Sequence, residues 1–287
     1  MPLTFLSHQA PVLPLKMAWP RWFDGTALVI GSMAPDLFFV AHGTDLYPDA
    51  HGSVAAFMLC LPLTLVITWV IKRVVAGPLA AHLPDAGQFH LRDYGRLDSW
   101  RWPTNTTGSF LLILSAMIGA LSHVLIDSFT HGFGWVVQHV DALRLQAFLL
   151  PEWASGRPVY VHDFLQVGGT VIGAGITIWC LHVIGQRRLL VSWCPAALML
   201  KATAASRRLL ITWSALALVV GLAVGVLAAS YGGAQDFIVR VTGVTFVGVA
   251  LGCVNARRSM EPVGGMTPAG SSATDETSTT ADRGPGV

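Results

Sequence analysis

Long apolar stretches dominate this chain, and polar residues interrupt them at irregular intervals. A helix needs roughly 20 apolar residues to cross about 30 Å of hydrocarbon. Five stretches reach that length, and we predict transmembrane helices near 53–75, 108–130, 161–184, 208–230 and 236–255. The pattern is therefore typical of an all-α, polytopic integral membrane protein that forms a helical bundle.

A sixth apolar stretch, ALVIGSMAPDLFFVA at 27–41, is too short for a comfortable crossing and carries Pro35 and Asp36 in its middle. We predict that it forms a short re-entrant or interfacial helix. Residues 256–287 are rich in Gly, Ser, Thr and Pro and offer little to bury, so we expect a disordered tail. The predicted division is a membrane-embedded domain at 1–255 followed by that tail.

The composition supports a membrane protein and excludes one class of partner. Hydrophobic residues make up 53% of the chain and charged residues 12%, which is too little polar surface for an ordinary soluble domain. The net charge of +2 and the lack of a run of Lys and Arg give no support to nucleic acid as a partner. We therefore expect membrane lipids as the principal partners.

The positions of Lys and Arg around the spans predict an orientation, because cytoplasmic loops carry an excess of these residues. The segments after the second and fourth spans hold only Arg144 and Arg157. Basic residues concentrate after the first and third spans: Lys72, Arg73, Arg92, Arg96, Arg101, Arg187, Arg188, Lys201, Arg207 and Arg208. We expect a multi-pass protein of the cell (inner or plasma) membrane, with those two segments and the C-terminal tail in the cytoplasm.

Histidine and aspartate side chains gather at the predicted extracytoplasmic end of the spans. In GALSHVLIDSFTHGFGW (119–135), His123, Asp127 and His131 are spaced four apart, which places them on one stripe of a helix. The complete set of candidate metal ligands adds residues from the N-terminal part: His8, Asp36, His51, His123, Asp127 and His131.

Imidazole and carboxylate ligands without thiolates favour a divalent ion, with Zn the first choice and Mn or Fe the alternatives. An ion with one open position can activate water for ester hydrolysis. We expect Asp36 or Asp127 to act as the general base if it does not bind the ion directly. A site at the outer leaflet suits a lipid or lipid-linked substrate that arrives laterally, so the first hypothesis is a metal-dependent hydrolase.

Two other readings of the same residues stay open. A string of His and Asp within a membrane can relay protons or line an ion path, which gives a proton-coupled transporter or an ion-conducting protein. The same side chains can also join helices by hydrogen bonds, which gives a structural scaffold. The chain has no G-x-x-x-x-G-K-[ST], G-x-S-x-G or C-x-x-C motif, so NTPase, serine-hydrolase and dithiol mechanisms lack support.

Four segments resemble a bacterial family of integral-membrane proteins classed as a domain of unknown function: the opening MPLTFLSHQAPVLPL, GSMAPD at 31–36, His51 before the first span, and SHVLIDSFTHG at 122–132. The resemblance covers roughly residues 1–185. The same His and Asp pattern is more distantly similar to LexA-regulated inner-membrane proteins described as metal-dependent hydrolases. The resemblance implies a metal site and carries no established reaction with it.

Overall fold

The structure is a computed structural model that describes residues 4–42, 44–45, 47–48, 54–151, 156–195 and 199–263. His51 and the predicted tail from 264 onward lie outside the described residues. The described chain is helical almost throughout, which confirms the predicted all-α polytopic bundle.

Among the described residues, five helical segments are long and apolar enough to cross a membrane: Cys60–His82, Thr106–His139, Val161–Gln186, Ala204–Ala229 and Asp236–Arg257. They overlap the five predicted spans, although the first and second continue past their predicted ends at 75 and 130. Their exposed apolar surfaces imply surroundings of lipid.

The helices follow in chain order as α1 Leu13–Ala18, α2 Gly25–Gly31, α3 Ala34–Leu37, α4 Val54–Met58, α5 Cys60–Val70, α6 Ala76–His82, α7 Thr106–Thr130, α8 Trp135–His139, α9 Val161–Gln186, α10 Leu189–Trp193 and α11 Ala204–Arg257. Two antiparallel pairs of short strands accompany them: β1 Gln146–Leu149 with β2 Pro158–Tyr160, and β3 Met199–Lys201 with β4 Glu261–Val263. A π-helical turn, Ile71–Val75, joins α5 to α6.

The segment at 27–41 is not one short helix as predicted. It consists of most of α2, then α3, then a 3₁₀ turn at Phe38–Ala41. Asp24 caps α2 by accepting a hydrogen bond from the Ala27 amide (3.0 Å), and Pro35 lies in the first turn of α3, where its missing N–H costs nothing. The break between α2 and α3 places Asp36 at the side of α7.

Helices α2 and α7 cross in contact at their backbones. A Cβ atom at Gly119 would collide with the carbonyl oxygen of Leu28, and one at Gly31 would collide with the carbonyl oxygen of Ala116. Small residues are what allows membrane helices to approach so closely. This crossing fixes the position of α3, which follows α2 directly, against the C-terminal half of α7.

A buried ion pair joins the N-terminal segment to the first span. The ammonium of Lys72, 4% exposed, donates to the carboxylate of Asp24 and lies 4.6 Å above the ring of Trp100. Burial alone would raise the pKa of Asp24, but the Lys72 charge holds that pKa below its usual value. This pairing lets a charged residue of the first span lie inside the bundle.

The last two spans form a hairpin within the helical run of α11. In a straight helix, Gly248 and Ala217 would lie about 47 Å apart, at 1.5 Å per residue. Instead, Gly248 packs so closely on Ala217 that a Cβ on the glycine would collide with it. The chain therefore reverses direction between Ala229 and Asp236, as the separate predictions of 208–230 and 236–255 require.

The regular secondary structure continues past the predicted domain boundary at 255, as far as Val263. Helix α11 ends at Arg257, and β4 then pairs with β3 in register from Met199↔Val263 to Lys201↔Glu261. The guanidinium of Arg257 donates two hydrogen bonds to the Asp98 carboxylate, at 2.7 and 2.5 Å. The first residues of the predicted tail thus have backbone and charged partners that composition does not reveal.

The helix crossing yields a stability prediction. Gly119→Ala should destabilise the protein by about 1–3 kcal/mol because the added methyl group meets backbone atoms of α2. The measurement is the thermal unfolding midpoint in detergent. Gly175→Ala is the matched control, since its methyl group would meet nothing within 4 Å and alanine favours a helix. Equal midpoints for Gly119→Ala and wild type would contradict this account of the crossing.

A second stability prediction concerns the buried ion pair. Lys72→Met leaves the Asp24 carboxylate buried without its cation and should cost about 3–5 kcal/mol. The double variant Lys72→Met/Asp24→Asn removes both charges and keeps a capping side chain for α2, so it should recover most of that loss. The thermal unfolding midpoints of the two variants measure how much of the loss comes from the unpaired charge. A double variant as unstable as Lys72→Met would argue that packing, and not charge, sets the cost.

Candidate metal centre

His8 reaches the interior because the N-terminal chain lies directly on α9. It belongs to a 3₁₀ turn, Ser7–Gln9, and is 3% exposed. The Thr177 hydroxyl donates to the carbonyl oxygen of Leu6 at 2.7 Å, and a Cβ on Gly173 would lie 2.7 Å from the Ser7 Cβ. The missing side chain at Gly173 therefore makes room for the turn that carries His8.

His123 lies in α7 at its contact with the α2–α3 break and is fully buried. Its Nδ1 donates to the carbonyl oxygen of Ser32 at 2.8 Å, so Nε2 carries the lone pair when the ring is neutral. That Nε2 faces Asp36 Oδ1 at 3.5 Å and Asp127 Oδ2 at 3.3 Å. A histidine whose other nitrogen is fixed by a backbone carbonyl is the usual arrangement of a metal ligand.

His8, Asp36 and His123 form a buried group whose candidate ligand atoms all lie within 4.8 Å of one another. The rings of His8 and His123 are stacked, with centroids 3.9 Å apart. Nδ1 of His8 is buried and has no hydrogen-bonding partner in the part of the chain that the structure describes. This group of three residues could bind a metal ion.

The protonation states of the two N-terminal members suit such an ion. Burial and, second to it, the neighbouring His123 together lower the pKa of His8 to about 4, so the His8 ring is neutral. Burial alone would raise the pKa of Asp36, but its contact with His123 holds that pKa below the usual value. A neutral imidazole and an ionised carboxylate are the forms that coordinate metals.

Asp127 lies at the centre of the wider cluster. Besides its contact with His123, its Oδ1 lies 3.8 Å from Nε2 of His8 and 3.5 Å from Nδ1 of His131. It is 5% exposed, and it is the next residue after His123 on the same stripe of α7, as the spacing of four predicts.

His131 departs from the predicted helical stripe. Helix α7 ends at Thr130, and His131 has an extended backbone (φ −117°, ψ 141°). Gln166 Nε2 lies 3.0 Å from His131 Nε2 and donates to it, while Thr130 Oγ1 lies 3.0 Å from Nδ1. His131 therefore contacts Asp127 from the edge of the cluster, and both its ring nitrogens have neighbours other than the group of three.

The cluster opens into a cleft of about 470 Å³. Asp36, Asp127 and His131 line its inner part. Its other polar lining residues come from the chain around the start of α9, namely Arg157, His162, Asp163 and Gln166. The gathering of His162, Asp163 and Gln166 at this level agrees with the sequence, where they begin the third span. Arg157 is a lining residue that sequence reasoning missed, because it appeared there only as one of two basic residues in its segment.

The structure thus brings together five of the six predicted ligands: His8, Asp36, His123, Asp127 and His131. Of these, His8 comes from the N-terminal turn, far in sequence from α7, and it lies in the compact group of three. His51 lies outside the described residues.

Comparisons with known proteins identify a family. No curated protein and no solved structure gives a significant match. A family model described as Domain of unknown function (DUF4184) matches residues 1–257, which extends well beyond the 1–185 of the predicted resemblance. The distant similarity to LexA-regulated proteins stays a prediction. The match includes all five spans and every member of the histidine and aspartate cluster, so the chain belongs to the DUF4184 family, a family of unknown function.

Proposed function

We propose that this protein is a metal-dependent hydrolase of the membrane, with a divalent ion held by His8, Asp36 and His123 and contacted by Asp127. The observation that carries the proposal is a set of distances. Tetrahedral Zn with bonds of 2.0–2.1 Å separates its ligand atoms by about 3.3 Å. His123 Nε2 lies 3.5 Å from Asp36 Oδ1 and 3.3 Å from Asp127 Oδ2, which is the spacing that such an ion requires.

Electrostatics supports a cation between these atoms. A neutral His123 that donates through Nδ1 would direct the lone pair of Nε2 at two carboxylates, and these would repel one another in a buried place. A divalent ion between them would attract the Nε2 lone pair and both carboxylates, and these attractions would outweigh the repulsion between the carboxylates. Zn is the first choice for ligands of this kind, and Mn or Fe are the alternatives.

When bound, the ion would polarise an ester and lower the pKa of a coordinated water toward 7. Asp36 would stay with the ion as a ligand, and Asp127, which also lines the cleft, would accept the proton that the attacking water loses. That proton then passes to the leaving alkoxide, so that water is added across the ester bond with no further reactant. Because the cleft begins at the cluster, it supplies the space for a substrate beside the ion.

We further propose that the cleft faces the extracytoplasmic side. Basic residues pair at the other end of the bundle, around the 3₁₀ segment Leu91–Ser99: Arg188 contacts Asp93, and Arg257 contacts Asp98. An excess of Lys and Arg marks the cytoplasmic side of a membrane protein. A substrate dissolved in the outer leaflet would then reach the cleft by lateral diffusion.

Metal analysis tests the ion directly. Purified wild-type protein should hold about one equivalent of Zn, and His123→Ala should retain a tenth or less, because its nitrogen lies between both carboxylates. Asp127→Asn should weaken Zn binding by 10–100-fold. The control is His139→Ala, an exposed histidine that contacts Trp135 within α8 and should leave the Zn content unchanged. Equal Zn content in His123→Ala and wild type would end the assignment.

Hydrolysis is tested with chromogenic p-nitrophenyl esters of phosphate and of fatty acids. Zn-loaded wild-type protein should release p-nitrophenol, a chelator should abolish the release, and added Zn should restore it. Asp127→Asn at saturating Zn should be slower by about 10²–10⁴, the usual range for losing a general base. Retention of full activity after complete removal of metal would overturn the proposal.

A proton relay is the second candidate, and one observation favours it. Thr64, Thr68 and Lys72 form a stripe along the first span, and all three are buried. The hydroxyls of Thr64 and Thr68 have no hydrogen-bonding partner among the residues that the structure describes, as in a path that waters could complete. A hydrolase predicts no proton flux above that of empty vesicles when the protein is reconstituted with a pH-sensitive dye. Flux that Thr68→Val abolishes would favour the relay.

A further inference from the structure

A second cavity meets the cluster from another side. Its volume is about 230 Å³, and it lies between the N-terminal chain, α7 and α9. Its lining is largely apolar and includes Ala10, Pro11, Ile126, Gly169, Ile172 and Ile176. We name this cavity the apolar groove, to distinguish it from the polar cleft around Arg157.

The apolar groove and the polar cleft are continuous at the cluster. Asp127, Thr130, His131 and Gln166 line both of them. A molecule that occupied both would therefore pass directly over Asp127. Such a molecule must carry a polar part and an apolar part that are joined at the point where the cluster can reach it.

The apolar groove is open toward the lipid side of the spans. Ile172 is 65% exposed and Ile176 39% exposed, on spans whose length and composition suit a bilayer. Gly169 is exposed, and a Cβ placed on it would meet nothing within 4 Å. In a membrane the neighbouring molecules are lipids, so the occupant that this position favours is an acyl chain.

The polar cleft suits an anionic group once a divalent ion is present. Arg157 is half exposed, and its guanidinium lies 3.7 Å from the Asp163 carboxylate. A surface pair at this distance contributes little to stability, so the guanidinium remains available to a ligand. A planar guanidinium is well matched to phosphate oxygens. The cleft also holds three carboxylates, Asp36, Asp127 and Asp163, so a divalent ion together with Arg157 balances their charge.

We propose that the substrate is an acyl lipid with a phosphate headgroup, whose chain lies in the apolar groove and whose phosphate lies in the polar cleft beside Arg157. This inference rests on the proposed hydrolase function for its meaning, since it names the substrate class of the same site. It also predicts a link between the two sites: the phosphate binds well only when the metal has offset the carboxylates.

The experiment uses the full chain in dodecyl maltoside micelles, which contain no phosphate, with a photoactivatable 1-oleoyl lysophosphatidate. Three unlabelled compounds compete for its cross-linking. These are lysophosphatidate, monooleoylglycerol, which lacks the phosphate, and glycerol 3-phosphate, which lacks the chain. Zn-loaded wild-type protein should bind lysophosphatidate at least tenfold more tightly than either of the others. Cross-links should map to the part of α9 that contains Gly169 and Ile172.

Variants separate the two halves of the site. Gly169→Leu fills the apolar groove and should weaken lysophosphatidate at least tenfold, with glycerol 3-phosphate and the Zn content unchanged. Gly175→Leu is the matched control, since its side chain also meets open space but lies outside the groove, and it should bind as wild type does. Arg157→Gln should weaken both phosphate compounds and leave monooleoylglycerol unaffected.

The outcomes distinguish the two proposals. Wild-type affinity in Gly169→Leu, or equal binding of monooleoylglycerol and lysophosphatidate to the wild-type protein, would overturn the lipid phosphate assignment even if Zn is bound. A protein that binds no Zn would overturn the hydrolase. In that case, competition by monooleoylglycerol still decides whether the apolar groove takes an acyl chain, because monooleoylglycerol carries no charge and needs no metal ion to offset the carboxylates.

Discussion

The structure of the site depends on one buried contact, in which an imidazole nitrogen lies against two carboxylates. Removing a charge from water is costly unless a partner neutralises it, and here Asp36 and Asp127 converge on Nε2 of His123. Because the Ser32 carbonyl already accepts the Nδ1 proton, the ring cannot reach a neutral form that donates to both carboxylates. Within the part of the chain that the structure describes, an extra proton or a metal ion would supply the positive charge. The neutral, stacked His8 beside them adds a ligand, which a proton does not need.

This contact forms because backbone segments approach each other closely at two places, α2 on α7 and the N-terminal turn on α9. Gly119 lets α2 lie on α7, and the break after α2 then turns Asp36 toward His123. Gly173 lets the N-terminal turn lie on α9, and that turn delivers His8. The site therefore belongs to three segments distant in sequence, and the small residues are as necessary to it as the ligands. Membrane helices gain little from hydrophobic association, so such close packing supplies much of their cohesion.

The sequence was sufficient for the spans and for part of the site. Apolar length predicted all five spans, and the spacing of His123 and Asp127 predicted their shared face. Spacing also predicted the contact of His131 with Asp127, but not the extended backbone of His131, because α7 ends one residue earlier, where a side chain at Gly134 would collide with the carbonyl oxygens of Asp127 and Ser128. The strand pairing of Glu261–Val263 and the inclusion of Arg157 in the cleft were missed as well. Both depend on which distant segments meet, and a hydropathy pattern contains no such information.

The arrangement of cavities favours the proposed hydrolase over the proposed relay. A relay needs polar groups from one face of the membrane to the other, and the stripe of Thr64 and Thr68 ends at the Lys72–Asp24 pair, whose opposite charges hold one another in place. A relay also has no use for an apolar groove that joins a polar cleft at a carboxylate. A hydrolase of amphiphilic esters needs that junction, because its substrate has one part that stays in lipid and one that must meet water. The position of Asp127 where the two cavities join is therefore better explained by chemistry on a lipid than by proton transfer across the bundle.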